Sequence, residues 1–468
     1  MLLAILLHIY FISFTDKPQT GGTPALSPRA VEQREQWDIP TDALDYPVSA
    51  AYLDSLRARG VKVHHTSRWF NGATVEMSEE QAAEIAGLPF LSGMEMTRKK
   101  DSTATRPVRA PKWLRTEKPT DNYTDAQLAT YNLTPLHNMG FEGQGILMAV
   151  CDGGFHNADT MQCFRREQEL GHFDFTDDAD SFYGPTGNHG TECLSAISGI
   201  AEGFSGAATK ADYYLMRSEE YETESPKEMD NLVAALEKAD SLGVNVFSVS
   251  LGYALFDNEE WNLDKTKDLD GVTTRVSRAA TIAARKGMLV CAAAGNEGNA
   301  AWRTISAPGD ADSILTVGAV DASGQIGNFS SFGPSSDGRV KPEVCAVGVQ
   351  TVLINPSSVI VRSNGTSFAT PMLAGLAASL WSALPDKNAM QIRDLIIRSA
   401  NHYTTPDPNH QYGYGIPDAW EAYRMGSEEE MDIEQIREKE PASKFIRGDQ
   451  ILIFRHGHIY NLAGQRVQ

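Results

Sequence analysis

The 468-residue sequence predicts an α/β fold, a largely parallel central sheet with helices on both faces, preceded by a small α+β domain. Three observations lead there. From about Tyr123 onward, short apolar runs alternate with helix-length segments. Residues suited to chemistry stand where such runs end, the edge at which open α/β sheets place their sites. Upstream, Leu26 to Met96 reads as a separate unit with its own strands and helices.

Taken in chain order, Met1 to Phe14 is apolar and too short for a membrane span, and residues 1–15 are expected to be a signal peptide, although a basic start is missing. No cysteine follows that run, which argues against a lipid anchor there. In the unit assigned to residues 26–97, a helix runs from a Ser49 cap to Gly60. Strands are expected over Val61–Thr66 and Ala73–Met77, a helix after Ser78, and a further strand over Leu91–Met96. Residues 98–121 are polar and suit a cleavable linker.

In the region assigned to residues 122–425, strands are expected at Gly145–Val150, Asp212–Met216, Val244–Val249, Met288–Ala292 and Ile314–Val317. Helices are expected at Met229–Leu242, Val272–Lys286, after Ser367 and at Ala389–Ser399. Residues 426–445 form a charged linker, and 446–468 a short β-rich tail around two strands.

Three distant pieces carry the chemistry. Asp152 follows the apolar run that ends at Val150, His189 opens the helical stretch Thr191–Ile197, and Ser367 opens a run of small apolar residues reading as a buried central helix. The helix amino end favours negative charge nearby, and Pro371 is expected in its first turn. A serine hydroxyl is a weak nucleophile. His189 would act as its base, and Asp152 would hold the imidazole's tautomer and stabilise the imidazolium. Asn296, ending the run Leu289–Gly295, would place its amide with the Ser367 N–H at the developing oxyanion.

The order Asp, His, Ser within Asn188-His189-Gly190-Thr191, Ala293-Ala294-Gly295-Asn296 and Gly365-Thr366-Ser367-Phe368-Ala369-Thr370-Pro371 resembles the subtilisin family of serine peptidases over roughly Tyr123 to Arg424. The resemblance implies a subtilisin-like three-layer fold, catalytic Asp152, His189 and Ser367, and Asn296 as oxyanion amide. It also implies that Ser250, Leu251 and Gly252, with Ala292, Ala293, Ala294 and Gly295, wall the substrate groove. The upstream unit resembles the family's inhibitory propeptide without its usual opening strand. The C-terminal tail is similar to short tails on exported Bacteroidetes proteins.

Two departures stand out. Gly153 replaces the family's usual serine or threonine, removing one hydroxyl from the acid, and the stretch Gly199–Phe204 is short for the family's calcium-binding insertion. No metal residue is therefore assigned. The chemistry needs no cofactor, and structural calcium is left open. Asp174, Asp177, Asp178 and Asp180 lack EF-hand spacing and read as a solvated loop.

Each site residue also has an ordinary explanation as a helix cap or turn residue; their joint occurrence favours catalysis. The five cysteines contain no C-x-x-C pair and read as buried small hydrophobes. A formal charge of −20 argues against nucleic-acid binding.

The expected function is an exported serine endopeptidase, self-processed, with its own propeptide as intramolecular inhibitor, protein or peptide as substrate, and no transmembrane segment in the mature chain. An apolar primary pocket is expected, with Glu297 and Ser218-Glu219-Glu220 attracting basic side chains. The competing functions are a narrow processing peptidase, its cleft restricted by the Tyr253–Asp270 insertion, and an exported inactive binding module.

Overall fold

The computed structural model describes residues 6–17, 23–99, 124–177, 181–221, 223–404, 410–428, 443–447, 450–455, 458–461 and 466–467. The N-terminal domain comprises β1 (His8–Phe14), α1 (Pro28–Gln36), α2 (Ala50–Arg57), β2 (Lys62–Ser67), β3 (Gly72–Met77), α3 (Glu79–Ile85) and β4 (Leu91–Arg98). Its antiparallel sheet has the order β2-β3-β1-β4.

This corrects the reading of residues 1–15 as a leader where they are described; residues 1–5 lie outside the described residues. The apolar stretch supplies the opening strand that the sequence did not reveal, paired on both edges, with Ile9 and Ile12 fully buried. Hydrophobicity alone does not separate a leader from an interior strand. Ser78 caps α3 through a reciprocal pair with Gln81, whereas the Ser49 side chain makes no capping bond to α2. Helix α1 was not expected; Ser27 caps it and Pro28 opens it.

The second domain opens with short helices α4 (Asp125–Ala129) and α5 (Thr134–Asn138). It continues through β5 (Leu147–Asp152), β6 (Glu169–Asp174), α6 (Asn188–Ser198) and a hairpin of β7 (Ile200–Ala201) with β8 (Phe204–Ser205). Then come β9 (Asp212–Arg217), α7 (Pro226–Leu242), β10 (Val246–Val249), α8 (Arg275–Arg285), β11 (Leu289–Ala293), β12 (Leu315–Val320) and β13 (Val344–Val347). A hairpin of β14 (Thr351–Ile354) and β15 (Ile360–Ser363) precedes α9 (Thr366–Ala383), α10 (Ala389–Arg398) and a helix at 419–428.

Seven strands pair in parallel in the order β13-β12-β11-β10-β5-β9-β6. Strands β6 and β13 escaped sequence reading for different reasons. The first is an edge strand with alternating exposure and no apolar run, and the second is only four residues long. The period of two divides β5 between the faces: Met148 and Val150 pack with α6 and α9, while Leu147, Ala149 and Cys151 pack with α7 and α8.

The tail is a four-stranded antiparallel sheet of β16 (Ser443–Arg447), β17 (Gln450–Arg455), β18 (His458–Asn461) and β19 (Arg466–Val467). It begins inside the stretch read as charged linker and has twice the expected strands. The cleavable linker expected at 98–121 lies outside the described residues beyond Lys99.

The N-terminal domain docks on α7 and α8. Trp69, at the tip between β2 and β3, is buried in the α7/α8 layer. Around it the joint is ionic. Arg34 reaches Asp45 at 2.6 Å and Asp240 at 2.7 Å, Arg68 pairs with Asp240 and Glu237, and Lys286 reaches Asp45 at 3.0 Å. Among the described residues no helix is long and apolar enough to cross a membrane.

Candidate active site

Asp152 is the last residue of β5, and its carbonyl accepts the Ser218 N–H at 3.2 Å, so the acid sits where β5 and β9 end side by side. Its carboxylate is nearly fully buried. The Gly153 N–H donates to Oδ1 at 2.8 Å, so a backbone donor supports the acid where residue 153 offers no hydroxyl.

His189 stands in the first turn of α6, with Nδ1 2.8 Å from Asp152 Oδ1 and 2.9 Å from Oδ2. A carboxylate only accepts, so Nδ1 carries the proton and Nε2 is the basic nitrogen. Burial disfavours the charged ring, but the adjacent Asp152 outweighs it and holds His189 well above the ordinary imidazole range. The next residue must be glycine for the helix to come this close. A Cβ on Gly190 would lie 2.2 Å from the Gly154 carbonyl oxygen and 2.9 Å from Asp152 Cβ.

Ser367 is the second residue of α9, and its Oγ donates to the Ser250 carbonyl at 3.2 Å. The neighbouring Phe368 ring lies 5.5 Å from the His189 ring, which brings the start of α9 against the start of α6. Pro371 lies beyond the first turn, contrary to expectation, and this has a local effect. Lacking an N–H, it leaves the Ser367 carbonyl without its helical donor. Ser250 Oγ at 2.7 Å and Cys193 Sγ at 3.3 Å donate instead. The residue just after β10 and helix α6 thereby hold the backbone of Ser367.

Cys193, one turn after His189, places Sγ 3.9 Å from Nδ1 and 4.0 Å from Nε2. Burial, partly opposed by His189, pushes its thiol up to about 11, so it stays protonated at neutral pH. None of the five cysteines is joined in a disulfide, and all are buried.

Asn296 follows Gly295, whose φ of +110° suits glycine. Asn296 Oδ1 accepts from the Thr366 N–H at 2.8 Å and from Thr366 Oγ1 at 3.0 Å. Only oxygen can accept from a backbone N–H, so this fixes the amide's orientation and turns its NH2 away from Thr366. Sequence reasoning missed the orienting role of Thr366, although it stands inside the motif. It also missed the parts played by Cys193 and the Ser250 hydroxyl, which depend on neighbours far away in the chain.

Ser250, Leu251 and Gly252 leave the end of β10, with Leu251 half-buried and Gly252 exposed. The predicted wall on β11 is different. Ala292 and Ala294 are fully buried in the layer under α8, so their side chains are core, and Ala293 is nearly as enclosed.

Among the described residues, two groups bring possible metal-ligand atoms within 4.8 Å of one another: Asp152 with His189 and Cys193, and Glu219 with Glu224 and Glu228. The first is engaged in the Asp152–His189 bond. Of the acids read as a solvated loop, Asp174 reaches Arg217 at 3.4 Å, and Asp177 reaches Lys227 at 2.6 Å. Asp178 and Asp180 lie outside the described residues.

A carboxylate-oriented histidine at a parallel-sheet edge, packed against a helix whose second residue is serine, defines the class of serine hydrolases with an Asp-His-Ser order. The chain belongs, more particularly, to the subtilase family, whose model matches residues 143–415. Residues 9–111 match the peptidase S8 propeptide domain of Bacteroidota, which takes in β1.

Similar proteins include subtilisin NAT of Bacillus subtilis subsp. natto, 26% identical over 378 residues, covering 79% of this chain and 84% of that protein. The serine protease AprX of Bacillus subtilis is 28% identical over 313 residues, covering 59% of this chain and 66% of its own. A thermostable alkaline protease of Halalkalibacterium halodurans is 27% identical over 293 residues, covering 62% and 71%.

Proposed function

We propose that this subtilase is an active serine endopeptidase, made as a zymogen that processes itself and is exported. The observation carrying the reading is the bond from His189 Nδ1 to both oxygens of buried Asp152, on a ring packed beside the residue that follows Ser367.

In the first step Ser367 Oγ bonds to the scissile carbonyl carbon while its proton passes to His189 Nε2. The carbonyl π pair becomes the oxyanion, facing Asn296 Nδ2 and the Ser367 N–H. Collapse breaks the C–N bond, and His189 returns the proton to the leaving amine. Water then adds to the acyl-enzyme by the same base, releasing the acid and restoring the Ser367 hydroxyl. An extended substrate would pair through its main chain with Ser250–Gly252.

The match of the first domain to a propeptide family and its docking on α7 and α8 support an inhibitory role for that domain. The similarity of the C-terminal tail to short tails on exported Bacteroidetes proteins supports export.

Fluorophosphonate labelling with intact-mass and terminal sequencing tests the reading. Wild type should label at Ser367 and lose its N-terminal domain, while protease-free Ser367→Ala should stay full length and unlabelled. A matured, folded protein that neither labels nor cleaves peptides would favour the binding-module alternative. Processing of Ser367→Ala in protease-free material would remove self-cleavage.

A further inference from the structure

Helix α1 sits between β1 and α2 and meets the catalytic domain at the amino-terminal edge of the sheet, opposite the edge that carries Asp152. Strands β11, β10 and β5 are neighbours there, and a glycine stands just before each of them: Gly287, Gly243 and Gly145. The carbonyls of all three accept from α1. Arg29 Nε donates to Gly243 at 3.2 Å, Arg29 Nη2 donates to Gly145 at 3.2 Å, and Gln33 Nε2 donates to Gly287 at 3.3 Å. Arg29 Nη2 also donates to Asn245 Oδ1 at 2.7 Å, an oxygen that accepts the Leu147 N–H at 3.0 Å and so ties the starts of β10 and β5 together.

The fit is close as well as polar. At the cap of α1 the Ser27 N–H donates to the Ser241 carbonyl at 2.7 Å, and buried Arg34 reaches Asp240 on α7. A Cβ on Gly243, whose φ is +75°, would lie 2.8 Å from the Ala30 nitrogen, so the helix backbone rests directly on that glycine. A Cβ on Gly287 would lie 2.7 Å from Ile39 Cδ1, so the chain leaving α1 keeps to the same edge. The N-terminal domain therefore grips the catalytic domain at two places, the α7/α8 face around Trp69 and the strand starts under α1. Two contacts on one ligand reinforce each other, because the one still made keeps the other within reach after it opens. All the α1 contacts come from residues before 98–121, so a cut in that linker leaves them in place.

We propose that α1 is a second anchor, a strap that holds the cleaved propeptide on the catalytic domain by the starts of β5, β10 and β11, so that cutting the linker does not by itself free the site. The consequence for activity rests on the zymogen reading. The anchor itself does not, because it is measured in a chain that cannot cut.

The test uses full-length Ser367→Ala carrying a recognition sequence for an unrelated protease within residues 98–121. The chain is cut and diluted, and loss of the N-terminal domain is timed by native mass spectrometry. Arg29→Ala combined with Gln33→Ala removes the bonds to all three glycine carbonyls and should speed release about tenfold, as expected for a few hydrogen bonds at a partly exposed joint. Hydrogen exchange on the uncut variant should find β1 and β3 as protected as in the parent. In the active chain the same pair of changes should shorten the interval between linker cleavage and peptide hydrolysis by the same factor.

Release within about twofold of the parent overturns the anchor. So does faster release with protection lost in β1 and β3, which would make α1 a brace of its own domain. Faster release with an unchanged interval in the active chain overturns the delay of activation. A chain with Ser367 intact that neither labels nor cleaves overturns the endopeptidase reading, while a tenfold faster release in Ser367→Ala still supports the anchor.

Discussion

The core behind α6 and α9 and the joint between the α7/α8 layer and the N-terminal domain are held by different physics. Toward α6 and α9 the contacts are apolar and tight, and α9 is buried over most of its length. Toward solvent on the other side, α7 and α8 meet the propeptide domain through Trp69 and a set of buried ion pairs on Glu237, Asp240 and Lys286. Packed hydrocarbon has no comparably good partner in water, whereas separated carboxylates and guanidinium groups are well solvated. The first kind of contact suits a permanent core. The second is strongly specific while intact and gives water much of what it loses on separation, which suits a domain that detaches.

The comparison breaks most visibly at the apolar face. Ser367→Ala removes one oxygen and should lower kcat for peptide hydrolysis by about six orders of magnitude with melting temperature little changed. That magnitude was measured in subtilisin, a member of this family, and is carried over. A residual rate within a hundredfold of wild type would remove Ser367 from the chemistry.

Asp152→Asn should cost about four orders of magnitude in kcat, since an amide facing Nδ1 no longer selects the productive tautomer. It should also move the acid limb of the pH–rate profile. The base must be neutral, and Asp152 holds His189 above the usual imidazole range, so wild-type activity should climb into the alkaline region. Losing that charge shifts the limb downward. The linked stability has the opposite slope: a raised folded value means stability fully present below about pH 6.5 and lost as pH rises through the folded value. A limb unmoved in Asp152→Asn would contradict this origin.

The ionic face should respond on a smaller scale. In a full-length Ser367→Ala background, Arg68→Ala strands Glu237 and Asp240 with fewer partners and should cost about 3 kcal/mol of docking, a hundredfold or so. Hydrogen exchange at Trp69 and its neighbours should speed up accordingly while β5 and β10 stay protected. Equal loss of protection in both places would mean that the faces are not separable.

The smallest effect is expected at Gly153→Ser. A Cβ there meets Glu219 at an ordinary 3.5 Å, and the new hydroxyl joins a carboxylate already served by the Gly153 N–H. A change in kcat/KM of at most about threefold is expected, read with one peptide at fixed pH. A tenfold gain would show that the backbone donor is a poor substitute.

Much of this is legible in the sequence alone. The apolar runs ending near Asp152, Val249 and Ala293 became adjacent parallel strands, and the helices after His189 and Ser367 started where expected. Other features were hidden. Strand β1 carries the same hydrophobicity as a leader, and Pro371 reads as a first-turn residue until the helix start is known. That the side chains of Ala292 and Ala294 face the core was hidden as well, because a strand's two faces cannot be told apart when both are buried.

By itself, then, the sequence determined the parallel-sheet class, the three chemically distinct residues and the order in which they occur, because periodicity and motif spacing are local properties. Only the tertiary structure decided that the Ser367 carbonyl is held by Ser250 and Cys193, that Asn296 is oriented by Thr366, and that Arg34 meets Asp240 206 residues away. Those choices depend on which distant groups the packed sheet brings together, and no local pattern encodes a partner's position in space.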